Sequence, residues 1–85
     1  MPELPRQVIR ERSFERELQA LIQDAREADD FVEAAEFVLA RDPVIGSPLE
    51  GEIWFLPMAP IGHAEIALYY MFDDSTVTLL AIANI

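Results

Sequence analysis

Apolar and polar positions change their rhythm near the middle of the chain. In residues 13–26, Phe14, Leu18, Leu21, Ile22 and Ala25 recur at spacings of four, three, one and three. That is one stripe of an amphipathic helix, and Ser13 offers a hydroxyl to cap its start. A second stripe follows in Phe31, Ala34, Ala35, Val38 and Leu39. Asp30 and Glu33 have the spacing of a capping box at its start, and Asp42-Pro43 stops it, because proline disfavours helix in the residue before it. The alanines would let the two helices pack closely as an antiparallel hairpin. Ahead of them, residues 1–5 read as a loose lead-in with two prolines. Residues 6–11, around Val8 and Ile9, fit either a short strand or a helix approach.

Beyond Pro43 the period shortens to two. Gly46, Pro48 and Gly51 punctuate a connection. Residues 53–56 then read as a strand ended by Pro57, residues 64–72 as a long strand, and residues 76–82 as a third after the turn residues Asp73-Asp74-Ser75. The expected fold is a single α+β domain over residues 1–85, with a helix hairpin on one face of a small antiparallel sheet. The sheet has three strands, or four if residues 6–11 join.

Strict alternation sorts the strand residues into two faces. Ile66, Leu68, Tyr70 and Phe72 oppose Ala67, Tyr69 and Met71, while Val77, Leu79, Ala81 and Ala83 oppose Thr78, Leu80 and Ile82. Both faces are apolar, whereas a sheet with one solvated face normally alternates apolar with polar. Two short helices cover one face only. The other is expected to meet a protein partner, with Trp54, Ala67, Tyr69, Met71, Leu80 and Ile82 as the binding residues. The partner would be a second protein or another copy of the chain.

Charge sharpens this picture. Sixteen acids face six bases, all arginine, for a net charge of −10. The second half holds Glu50, Glu52, Glu65, Asp73 and Asp74 and no base. Nucleic-acid binding needs clustered cations and is not expected, nor is docking on anionic lipid. No apolar run approaches the ~18 residues of a membrane span, so a soluble, cytoplasmic protein is expected. There is no cysteine, which removes disulfides and thiolate chemistry. At this length only about 60% of the unfolded surface is buried on folding, so a partner would also help stability.

Candidate chemistry is sparse. His63 is the sole histidine and sits in a Pro/Gly loop, where a plain exposed side chain is its ordinary role. The acidic pairs Glu50/Glu52 and Asp73/Asp74 lack the converging oxygens of a calcium or magnesium site and read as solvated loop acids. No phosphate loop, zinc spacing or hydrolase elbow is present, and no cofactor or metal is expected.

The order of the strings VIRERSFERELQAL, DPVIGSPLEGEIWFLP and IALYYMFDDSTVTLLAI resembles the RelE/ParE superfamily of toxin–antitoxin toxins, over about residues 6–84. The resemblance implies a β-α-α-β-β-β order, helices on one sheet face, and an antitoxin that wraps the toxin. It also implies Arg or Lys in the strand after the glycine and Arg at the start of the next strand, in members that cleave RNA. Trp54, Phe55, Leu56 and Pro57 hold the first stretch here, and Glu65 and Ile66 the second. A basic or aromatic tail is likewise implied after the last strand, where this sequence reads Asn84-Ile85. With those cations missing, a toxin acting by protein binding is expected. The alternative is a non-toxic relative kept as an interaction or regulatory module. Cleavage through Arg41 or the cluster Arg10, Arg12 and Arg16 is a third, lesser reading.

Overall fold

In the computed structural model, which describes residues 4–59, 62 and 64–85, two helices pack on a five-stranded mixed sheet. The elements run β1 (Gln7–Arg10), α1 (Arg12–Leu21), α2 (Ala25–Arg41), a 3-10 turn (Pro43–Ile45), β2 (Ser47–Glu50), β3 (Ile53–Met58), β4 (Ile66–Phe72) and β5 (Thr76–Asn84). The sheet order is β1-β5-β4-β3-β2. His63 and residues 1–3 lie outside the described residues.

The α+β class and the helices-then-strands order agree with the sequence reading, with three differences. Residues 7–10 do form a strand, and it pairs with β5 in parallel, Val8 opposite Val77 and Arg10 opposite Leu79. A parallel pair requires a long crossover, and the two helices supply it. The sheet is therefore mixed, where an antiparallel one was expected. The second difference is β2, read from sequence as a mere connection because it contains Pro48. It is an edge strand, exposed at all four residues, and an edge is where a strand tolerates a residue without an N–H. Pro57 is accommodated likewise: β2 pairs with β3 only as far as Phe55, so Pro57 lies where β3 is itself the edge.

The third difference is the helix boundary. α1 ends at Leu21, and Asp24 caps α2 by accepting a hydrogen bond from the Glu27 N–H at 3.0 Å. Asp24 and Glu27 have the same spacing as Asp30 and Glu33, and the earlier pair is the one used. Asp30 lies inside the helix. The buried stripe of α2 is accordingly Ala28, Val32, Ala35 and Leu39, at spacings of four, three and four, while Ala34 and Val38 face solvent. Ser13 does not cap α1; its hydroxyl donates to the Leu80 carbonyl at 3.1 Å.

The core lies between the helices and one sheet face. Phe14, Leu18 and Ile22 of the first helical segment meet Val32 and Leu39 of α2 over Ile66, Leu68, Tyr70, Val77, Leu79 and Ile82. Burial of such side chains, at about 1.5–3 kcal/mol each, is the main stabilising term. Arg10 ties β1 to α2 through paired hydrogen bonds to the Glu36 carboxylate at 2.9 and 3.0 Å. The β4–β5 turn is held by the Asp73 carboxylate, which accepts from the Ser75 and Thr76 N–H groups at 2.9 and 2.8 Å.

Candidate functional site

The sheet face turned away from the helices is the candidate site, and register decides which residues reach it. Tyr69 stands opposite Phe55 on β3 and Ala81 on β5. Met71 stands opposite Thr78, which stands opposite Ile9 on β1. Ala67 stands between Pro57 and Ala83. Side chains that share a register row share a face. None of these nine residues belongs to the core cluster. Phe55, Tyr69, Met71, Thr78 and Ala81 are half-buried, while Ile9, Pro57 and Ala83 are exposed. The surface is continuous, with two aromatic rings at its centre and a methionine beside them.

Two residues assigned to this face from sequence lie on the other. Trp54 pairs in register with Tyr70, packs against the core cluster, and meets the Phe72 ring edge-on at 5.3 Å between centroids. It marks the rim of the helix-covered face. Ile82 is 1% exposed and part of the core. The cause is a register shift in the β4–β5 ladder: Tyr70 pairs with Leu79 but Tyr69 pairs with Ala81, leaving Leu80 as an extra residue. A bulge of this kind breaks strict alternation. Alternation from Leu79 keeps Leu80 on the outer face, Ala81 joins it there, and Ile82 turns inward. Ala67 is on the outer face as expected, but its neighbours bury it to 3% exposure, so it supplies floor rather than contact. Phe55, Ile9 and Ala81 were missed. Phe55 alternates with Trp54, so a correct face for Trp54 would have found it.

The rim of this face is acidic at one end. The β2–β3 turn carries Glu52 and follows Glu50, and β3 pairs there with the end of β4, so the β4–β5 turn with Asp73 and Asp74 lies at the same end. Hydrogen bonds from the Ser75 and Thr76 backbone, joined by the Ser75 hydroxyl and Arg6, hold the Asp73 carboxyl below the usual carboxylate range.

No arginine reaches the face. Arg10 pairs with Glu36 and Glu15 on the helix side, and Arg6 lies over the Phe72 ring. Arg41 stacks on Phe37 of α2, 3.7 Å from the ring centroid. Arg12, Arg16 and Arg26 belong to the helices. The positions at which the resemblance implies cations are Trp54, Phe55, Leu56 and Pro57 within β3, and Glu65 and Ile66 at the start of β4.

Tyr70 is unavailable for proton transfer. Its hydroxyl donates to the Pro43 carbonyl, and burial, with the Asp42 carboxylate adding to it, pushes its pKa up. Tyr69 is the tyrosine of the open face. Among the described residues no group of three potential metal ligands comes together, and no helix is long and apolar enough to cross a membrane. The face therefore offers an apolar surface, and among the described residues it carries no cation.

No family model and no curated protein matches the chain. Among solved structures, it is similar to a chain in the crystal structure of the toxin-antitoxin complex RelBE2 from Mycobacterium tuberculosis. The TM-score is 0.72 at 25% identity, covering 96% of this chain and 93% of that one. That likeness spans nearly the whole chain. The chain has a RelE-like toxin fold.

Proposed function

We propose that this chain is a toxin-like component of a toxin–antitoxin module and acts by binding protein rather than by cutting RNA. The observation that carries the reading is the open sheet face, apolar across Phe55, Tyr69, Met71, Leu80 and Ala81 and free of cations among the described residues, in a RelE-like fold. RNA cleavage develops negative charge on a phosphorane, and fixed cations or hydrogen-bond donors must be aimed at it. Here the corresponding strands carry aromatic, aliphatic and acidic side chains. An apolar face of this extent favours a protein occupant, and an antitoxin-like chain is the partner the fold points to. A homo-oligomer through the same face must bring together two chains of net charge −10, which opposes it. Direct binding to nucleic acid forms no part of the proposed role.

Induction of the chain alone in a bacterial host tests this. Growth should stop, resume when an antitoxin encoded in the adjacent reading frame is co-expressed, and stop without ribosome-dependent messenger cleavage. Cleaved messengers would overturn the binding mechanism. Unimpaired growth would favour the second reading, a non-toxic member of this fold kept as an interaction module, which the same missing cations support.

A further inference from the structure

α2 carries two stripes, and packing within the chain accounts for one. Ala28, Val32, Ala35 and Leu39 are buried against the sheet. On the opposite side of the helix, Asp30, Ala34, Phe37 and Arg41 follow at spacings of four, three and four, and all four are exposed. Phe37 is 60% exposed, whereas α1 exposes no large apolar residue. Exposed apolar surface runs on past the end of the helix through Val44 and Ile45.

Charge on this outer stripe is graded from end to end. Asp30, in the first half, has no ion pair or hydrogen bond among the described residues. Glu27, Asp29 and Glu33 add to that negative end, with Arg26 as the one cation beside them. Arg41, in the last turn, stacks on Phe37 and donates to the Phe37 carbonyl at 3.0 Å. Its remaining N–H donors meet no carboxylate among the described residues. Asp42 follows it, but that carboxylate bears on the buried Tyr70 hydroxyl. Glu36 points elsewhere and pairs with Arg10.

Spacings of four, three and four make the seam of a coiled coil. In two copies of α2 laid antiparallel, Ala34 meets Phe37 and Asp30 meets Arg41, because both pairs are centred on the same point, between Ala35 and Glu36. One two-fold axis satisfies both layers at once. A small residue receives a large one, and an acid receives a base.

We propose that the outer face of α2 is where two copies of this chain pair, as an antiparallel helix dimer with Phe37 of each seated on Ala34 of the other and Arg41 facing Asp30. A two-fold contact needs a surface complementary to itself, and this stripe supplies one. Each chain brings a charge of −10, but charges more than about 8 Å apart are largely screened at physiological ionic strength. At 17 residues α2 is about 25 Å long, so the contact is small and the pairing reversible. The dimer turns both open sheet faces outward. It therefore goes beyond the proposed function without competing with it, and stands whether or not those faces bind an antitoxin.

Sedimentation equilibrium of the full chain in physiological salt, with amide NMR over the same concentrations, tests this. The chain should dimerise reversibly, with concentration-dependent shifts centred on Ala34, Phe37 and Arg41. Phe37→Ala should weaken the dimer about tenfold or more, because the two-fold axis counts each truncation twice. Asp30→Arg reads the charge layer. It leaves each chain less negative, so general repulsion alone predicts tighter pairing, whereas the Asp30–Arg41 layers predict pairing weaker by about fivefold or more. Adding Arg41→Asp restores the net charge and should restore the dimer. All three positions are exposed, and circular dichroism checks that each variant keeps its helices. A chain that stays monomeric at every concentration overturns the proposal. So does a dimer that Asp30→Arg tightens or leaves unchanged, a double variant that stays weak, or shifts that fall on Phe55, Tyr69 and Met71 instead. Shifts at Ala34 and Phe37 that arise only with the product of the adjacent reading frame would make the occupant another protein, and overturn it too.

Discussion

At Gly46 the chain passes so close to β3 and β4 that a methyl group would collide with the Tyr70 hydroxyl and the Phe55 carbonyl oxygen. The same Tyr70 hydroxyl anchors the Pro43 carbonyl, so a small residue and a buried phenol together fix how α2 hands over to the sheet. Gly46→Ala should cost about 1–3 kcal/mol, the usual range for overpacking a site that cannot relax, read as a lower urea midpoint at unchanged slope. Asp73 gives a pH signature. Its folded pKa lies below the ordinary 3.8, so its contribution is present above that value and lost as pH falls through the folded one. Asp73→Asn should therefore be less stable than wild type at neutral pH, with the gap closing in acid; parallel curves down to pH 2 would contradict the turn's role. Trp54, on the helix side against Phe72, reports the rim of the core. Its fluorescence should follow unfolding, and a partner on the open face need not move it.

Among the elements, α1, α2, β4 and β5 were legible because each carries a period that only one geometry satisfies. The boundary between the helices was misread because Asp24/Glu27 and Asp30/Glu33 offer identical caps, and only the packing of Ala28 and Val32 against the sheet selects the first. β2 was hidden by Pro48 and lacks any buried face to leave a pattern. β1 was visible as Val8-Ile9, but its parallel direction follows from the crossover, which no local string records. The bulge at Leu80 had the largest consequence for the site. Alternation alone put Ile82 on the wrong side, and nothing in Thr76 to Asn84 announces an inserted residue. Ile82→Ala should cost about 2–5 kcal/mol as a core cavity, whereas Met71→Ala on the outer face should cost much less. Comparable losses at both positions would place the bulge elsewhere.

For the molecule as a whole, helices seal one side of the sheet and leave the other apolar, acidic at one end and without cations among the described residues. The stretch of β3 at which the resemblance implies cations carries Trp54, Phe55, Leu56 and Pro57 here, which supports the proposed role by protein binding. The chain's arginines lie on or beside β1, α1 and α2. Amide hydrogen exchange on the chain alone and in complex with the product of the adjacent reading frame tests the central claim most directly. Slower exchange across Phe55, Tyr69, Met71 and Ala81 in the complex is the predicted result. A complex that forms while those four amides exchange as they do in the free chain would contradict it.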